Sequence, residues 1–198
     1  MFRFVSDFRE VNKRLVRKPF PLPKITTILQ EVKGFKYATL LDLNMGYYTI
    51  RLDPDSQKIC TIILPWGKYS YLRLPVGIAG SPDIFQEKMS GLMEELDYDR
   101  TYLDDLLTLT KSRFDDHLDK LRKVLEKLLE KGLRVNAARS HFGADQIEYL
   151  GCMLTRDGVK PQTKNIKAHF STQTPKRRTR FTRISRYDVI LQGFLGET

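Results

Sequence analysis

The chain has 198 residues, of which 41% are hydrophobic and 11% aromatic, enough apolar material for one packed domain or at most two small ones. Thirty-four Lys and Arg against 24 Asp and Glu leave a net charge of +10, which excludes an acidic disordered chain and favours a polyanionic partner such as nucleic acid. Short apolar runs exclude a transmembrane helix and a signal-peptide core. Cys60 and Cys152 lie far apart outside any CxxC pattern and give no readable disulfide framework or zinc site, so an intracellular setting, cytoplasm or nucleus, is expected with no membrane partner.

Phe2 to Val5 alternates apolar and basic residues and predicts a short strand entering a turn at Asp7-Phe8-Arg9. Pro19-Phe20-Pro21-Leu22-Pro23 predicts an extended segment, because each proline fixes its own φ and moves its predecessor out of the helical region. Ile25 to Lys33 predicts a helix stopped by Gly34, and Tyr37 to Leu43 a strand. Tyr48 to Leu52 alternates as a strand would and stops at Asp53-Pro54. Ile59–Leu64 and Tyr69–Leu74 form a hairpin around Pro65-Trp66-Gly67-Lys68. Ser81 as N-cap and Pro82 as first helical residue start a helix that runs to about Leu96. Thr101 to Thr110 is strand-like except at its middle. Leu118, Leu121, Leu125 and Leu128 mark a helix over Asp115–Lys131, closed by Gly132. Ile147 to Leu154 is a last strand before the turn Asp157-Gly158. This mixed order predicts an α+β fold, a sheet with helices on one face.

Two places break the apolar pattern with acid. In Thr101-Tyr102-Leu103-Asp104-Asp105-Leu106-Leu107, adjacent carboxylates interrupt a strand, and in Leu40-Leu41-Asp42-Leu43 one does. Like charges held near a sheet repel and lose hydration, and a divalent cation with oxygen ligands, Mg²⁺ or Mn²⁺, compensates both costs. The plainer alternative is a solvated Asp-Asp turn and an Asp at a strand end. Together they fit a three-carboxylate site for two-metal phosphoryl or nucleotidyl transfer.

Tyr102-Leu103-Asp104-Asp105 resembles the Tyr-x-Asp-Asp box of reverse transcriptases, and Asp42-Leu43 with Gly46-Tyr47 resembles their Asp-Leu-x-x-Gly-Tyr motif. Leu74 through Gln86 is similar to the template- and nucleotide-contacting loop and helix of that family. Arg3 with Asp7 through Lys13 resembles its fingers signature. Asn136 through Phe142 and Tyr149-Leu150-Gly151 resemble the later palm motif and the primer grip. By these motifs, in family order over residues 2–168, the chain is identified as a member of the gypsy-type long-terminal-repeat retrotransposon group.

The resemblance implies a fold of fingers (residues 1–17 and 51–80, partial) and palm (18–50 and 81–160), the palm being a split βαβ sheet backed by helices. It implies an RNA-directed DNA polymerase with Asp42, Asp104 and Asp105 as catalytic carboxylates. These, with the Leu43 carbonyl, would hold two Mg²⁺ or Mn²⁺ ions. Arg3, Leu43, Gly46, Tyr47, Val76, Gly77 and Arg139 would face the nucleotide. Trp66, Gly80, Ser81, Pro82, Tyr102, Tyr149, Leu150 and Gly151 would face template and primer. Tyr47 is either a gate against the ribose 2′-hydroxyl or a core tyrosine, and Trp66 either stacks on template or is an unused aromatic. Val76 stands where Phe or Gln is expected. Arg139 stands in place of a lysine, keeping charge but not an easily surrendered proton. Implied partners are an RNA or DNA template, a DNA primer and dNTPs. The leading part of the fingers, the thumb, RNase H, protease and integrase are expected to be absent. The alternative is an inactive retroelement relic that only binds nucleic acid.

Residues 161–198 are expected to be a basic tail outside the fold. From His169 on, Thr, Ser and Arg crowd together, with six basic and two acidic side chains and no sustained period. Back-translated and read one base later, this stretch can spell a family-like continuation, so an out-of-frame tail is expected.

Overall fold

The computed structural model describes residues 5–161. Arg3, most of the Phe2–Val5 strand and nearly all of the 161–198 tail therefore lie outside the described residues. In chain order the elements begin with α1 (Arg9–Arg14), α2 (Ile25–Glu31), β1 (Tyr37–Asp42), a 3₁₀ turn (Gly46–Thr49) and α3 (Pro54–Ile59). The hairpin β2 (Thr61–Leu64) and β3 (Gly67–Ser70) follows, then α4 (Ser81–Met93), β4 (Asp99–Tyr102), β5 (Asp105–Thr110) and α5 (Phe114–Glu130). Four short strands close the described chain: β6 (His141–Ala144), β7 (Gln146–Tyr149), β8 (Cys152–Thr155) and β9 (Gly158–Pro161).

The central sheet has the order β4-β5-β1-β6, with β1 antiparallel to both of its neighbours. Alternation along β1 and β5 sends side chains to two faces. Leu41, Leu43 and Leu106 meet Phe85, Met89 and Met93 of α4 and Leu121, Val124 and Leu128 of α5. Ala38, Leu40 and Leu107 meet Ile28 and Leu29 of α2, Val32 just after it, and Ile147, Tyr149 and Leu154 of the β7-β8-β9 sheet. Helices α4 and α5 thus share one face, and the opposite face is closed by α2 and a second small sheet. A third, separate cluster of Phe8, Cys60 and Ile78, with Val11, Leu52 and Tyr71, lies under the β2-β3 hairpin.

Several local expectations change. The alternation of Tyr48–Leu52 is not a strand throughout. Met45 takes a left-handed φ of 55° and the Thr49 hydroxyl donates to the Gly46 carbonyl at 2.6 Å, winding the start into the 3₁₀ turn. Only the last part is extended, with Arg51 bridging to Arg73. Asp53-Pro54 does not merely stop a strand. Asp53 caps α3, its Oδ1 accepting from the backbone N–H groups of Asp55 and Ser56 at 3.0 Å each, and Pro54 takes the first helical position. The region Asp7–Arg9 leads into α1 rather than a turn. The N-cap of α4 is Gly80, while the buried Ser81 hydroxyl donates to the Pro75 carbonyl at 2.9 Å; the helix ends at Met93. Ile147–Leu154 is two strands, because Leu150 and Gly151 both take left-handed φ values (49° and 82°) and reverse the chain in a two-residue hairpin loop.

Two buried titratable groups lie on the strands and helices of this core. Burial pushes the Asp99 carboxyl up to about 6 against the hydroxyls of Thr108 and Thr101, which donate to it. The His117 ring sits between the hydroxyls of Thr39 (2.8 Å) and Thr110 (2.9 Å), and desolvation, then the Lys120 charge, hold its pKa below the usual histidine value. A depressed histidine binds fewer protons folded than unfolded, so its contribution to stability is lost as pH falls through the ordinary value near 6.5. Asp99 acts oppositely: its contribution is present at low pH and is lost as pH rises through about 6. We expect urea midpoints of the parent to fall relative to those of His117→Gln between pH 7.5 and 5, since both share the Asp99 effect; parallel curves would remove His117 as a source of acid sensitivity.

Candidate functional site

The β1–β5 ladder ends with Asp42 directly opposite Asp105. By the same register Leu41 faces Leu106, so Asp42 and Asp105 project to the other face, the one that also carries Leu40, Leu107 and Tyr102. Asp104 is the second residue of the two-residue turn between β4 and β5, for Tyr102 pairs with Asp105 and leaves Leu103-Asp104 as the loop. Asp104, not Asp105, is therefore the carboxylate at the turn. The turn is tied back to β1 by the Leu43 N–H, which donates to the Asp104 carbonyl at 2.9 Å. On the far side, the Asn136 N–H donates to the Asp42 carbonyl at 2.8 Å.

Gly46 is required by close approach. A Cβ there would stand 2.5 Å from Phe85 Cζ and 3.2 Å from Asp104 Oδ1, so the chain after β1 passes flush against α4 and the turn. Tyr47 follows it, half-buried, its ring 4.9 Å from the Phe85 ring. The donor set is all oxygen, as Mg²⁺ or Mn²⁺ prefers. Gly46, lacking a Cβ, lets the chain lie close against Asp104 Oδ1, which is buried there. Among the described residues no three acidic, His or Cys side chains converge to enclose one ion. The carboxylates fit a divalent cation in the chemistry of their donors, with the rest of its coordination to come from water or substrate, as is usual for Mg²⁺.

Residues 1–154 match the model of the family described as reverse transcriptase (RNA-dependent DNA polymerase). The chain belongs to the reverse transcriptase family. It is 35% identical over 172 residues to the retrovirus-related Pol polyprotein from transposon opus of Drosophila melanogaster, covering 84% of this chain and 17% of that polyprotein. It is 31% identical over 170 residues to the Pol polyprotein from transposon gypsy of the same organism, covering 84% of this chain and 16% of that polyprotein. With the polyprotein from transposon 297, also of that organism, the similarity is 29% over 199 residues, all of this chain and 18% of the other. The chain thus spans about a sixth of the length of the curated relatives it matches. Among solved structures, a foamy viral protease-reverse transcriptase in complex with double-stranded DNA matches with a TM-score of 0.80 and 27% identity, over 88% of this chain and 31% of that one. The foamy viral protein in complex with an RNA/DNA hybrid gives 0.76 and 27%, over 86% and 23%. The α+β fold is that of reverse-transcriptase fingers and palm.

The remaining residues named from sequence are distributed as follows. Gly77 (φ 108°) and Val76 lie in an irregular loop held by Asn12 of α1, whose Nδ2 donates to the Gly77 carbonyl at 2.8 Å and whose Oδ1 accepts from the Ala79 N–H at 2.9 Å. Gly80, Ser81 and Pro82 open α4. Trp66 is 73% exposed at the tip of the β2-β3 hairpin. Arg139 is exposed on the turn before β6. Tyr102 and Tyr149 are core residues of the face that carries Asp42 and Asp105, and the turn residues Leu150 and Gly151 are half-buried beside them. Burial, with Asp105 and Asp99 nearby, holds the Tyr149 phenol firmly protonated. As to the tail, Gly193-Phe194-Leu195-Gly196 stands in the chain in frame, and the similarity to transposon 297 runs through the tail. The expectation of a shifted frame falls on residues 162–198, outside the described residues.

Sequence reasoning placed Gln86 only as the last letter of a motif. In the fold it is wholly buried and grips the acidic turn. Its Oε1 accepts from the Leu103 N–H at 2.7 Å, and its Nε2 donates to the Thr101 carbonyl at 3.2 Å and to the Ser90 hydroxyl at 3.1 Å. Leu103 needs such a grip, because its φ of 53° is a left-handed conformation costly for a branched side chain. A buried polar residue within an apolar helix face was the available signal. We expect Gln86→Leu to lower stability by about 1–3 kcal/mol in urea unfolding, the cost of a stranded buried N–H, and Gln86→Glu to fall between it and the parent. A Leu variant as stable as the parent would show that the turn holds itself.

Proposed function

We propose that this chain performs template-directed nucleotidyl transfer as the RNA-directed DNA polymerase region of a retrotransposon polyprotein. The observation that carries the reading is the placement of Asp42 opposite Asp105 with Asp104 in the adjoining turn, at the end of a ladder in which Leu40, Leu41, Leu106 and Leu107 stand behind them. Asp42, Asp104, Asp105 and the Leu43 carbonyl would hold two divalent ions. When bound, such ions lower the pKa of the primer 3′-hydroxyl and offset charge on the triphosphate and the departing pyrophosphate.

The chain's own groups do the positioning. The Asn12 clamp fixes the Gly77 loop, where exposed backbone can approach a nucleotide closely. Tyr47, braced on Phe85 and next to Gly46, would crowd a ribose 2′-hydroxyl. Arg3 and Arg139 supply guanidinium charge for phosphate oxygens. The buried Tyr102 and Tyr149 hold the two turns that would flank a primer end, with Leu150 and Gly151 at the rim. Trp66 with Gly80, Ser81 and Pro82 would line the template path. RNA or DNA template, DNA primer and dNTPs are the partners, in keeping with the net charge of +10 and with the nucleic-acid complexes of the foamy viral neighbours. The separate Phe8-Cys60-Ile78 cluster supports a division into fingers (1–17 and 51–80) and palm (18–50 and 81–160).

Primer extension on poly-rA/oligo-dT with Mg²⁺ or Mn²⁺ tests the reading. The parent should extend; Asp42→Asn and Asp104→Asn should abolish extension while binding the duplex within about twofold, since a nucleic-acid grip rests mainly on phosphate contacts. A parent that binds the duplex yet extends nothing with either ion would establish the relic alternative. Separately, Tyr47→Ala should raise ribonucleotide relative to deoxyribonucleotide incorporation, and an unchanged ratio in an active variant would return Tyr47 to a purely structural place.

A further inference from the structure

The end of β1 is held on its outer side by a side chain. Pairing between β1 and β6 stops at Leu40 opposite His141, and the chain before His141 turns away through residues 136–140. Because the ladder ends there, β6 offers the Asp42 N–H no ladder carbonyl. The Ser140 hydroxyl fills the place: the Asp42 N–H donates to Ser140 Oγ at 3.1 Å, and the same oxygen donates its proton to the Asn136 carbonyl at 2.8 Å. The Asn136 N–H in turn donates to the Asp42 carbonyl at 2.8 Å, so both backbone groups of Asp42 are closed into one ring of hydrogen bonds. The ring needs a single atom that both accepts and donates, which a hydroxyl is and a methyl is not.

We propose that Ser140 is a positioning residue for the metal-binding carboxylates, fixing the backbone of Asp42 so that its side chain stays opposite Asp105; this rests on the metal-binding reading given above. A residue whose own N–H and C=O are both pinned has the peptide units on either side of its Cα fixed, and the carboxylate attached to that Cα inherits the restraint. Partners one step removed from a metal commonly govern affinity in this way. Ser140 also stands immediately after Arg139, so the same ring sets where that guanidinium leaves the turn.

The test is Mn²⁺ binding by the full chain, read as loss of the free-ion electron paramagnetic resonance signal, on the parent, Asp42→Asn, Ser140→Ala, Ser140→Thr and Ser140→Cys, with far-UV circular dichroism and melting in EDTA for each. Asp42→Asn should weaken binding strongly. Ser140→Ala should weaken it on the order of 10-fold, as loss of an outer hydrogen-bond partner does. Ser140→Thr, which keeps the hydroxyl, should stay within about twofold, and Ser140→Cys, a weak acceptor, should fall between. If Ser140→Ala does not fold, the Thr and Cys pair carries the comparison. Asp42-dependent binding in the parent with no difference among the Ser140 variants overturns the proposal alone. Parent binding that is indifferent to Asp42→Asn overturns the metal reading, and the proposal with it.

Discussion

The antiparallel pairing of β1 with β5 is the constraint on which the rest of the structure depends, because the register that aligns Leu40 with Leu107 and Leu41 with Leu106 also sets Asp42 against Asp105. Like charges placed directly opposite on neighbouring strands disfavour the pairing by a fraction of a kcal/mol to about 1 kcal/mol. The four leucines behind them are buried on both faces of the sheet, each worth about 1.5–3 kcal/mol. The leucines win, and the acids are carried to the sheet's end. A slip of one residue would relieve the repulsion but would invert every side chain in β1.

Around that ladder, loops are held by polar side chains reaching from distant elements. Gln86 grips the Leu103 turn, Asn12 grips the Gly77 loop, and the Asp42 backbone is ringed by Asn136 and Ser140. The Pro-rich segment after α1 is pinned in the same manner. Arg17 makes two hydrogen bonds to the buried Asp83, at 2.6 and 3.0 Å, and the Phe20 N–H adds a third at 3.3 Å. Hydrophobic burial is non-directional and sets which layers meet; these bonds are directional and set where a turn points. The left-handed Leu103, costing about 1–3 kcal/mol, persists because its surroundings determine it so fully.

Charge is divided between surface and site. The chain as a whole is basic, which draws a polyanion at long range, while the end of the sheet is acidic, which repels phosphate at short range. No helix among the described residues is long and apolar enough to cross a membrane.

By itself the sequence determined the family, the three acids, the strands that bear them and α5, because these rest on local pattern: acid within an apolar run, leucines at spacings of three and four, glycine at a stop. It also located the β2-β3 hairpin, but set the second strand at Tyr69–Leu74 where β3 is Gly67–Ser70. It misread Asp53-Pro54 as an end rather than a cap, since Asp-Pro serves both uses until the following residues find a packing partner. It read Ile147–Leu154 as one strand, since nothing local forces Leu150 into a left-handed φ; the pairing of Tyr149 with Cys152 does. Only the tertiary structure decided that Asp104 is the turn residue and Asp105 the one facing Asp42. The same holds for Gln86 and Ser140: their roles depend on atoms 17 and 98 residues away in the chain, and a hydrogen bond between distant segments leaves no period or spacing in either one.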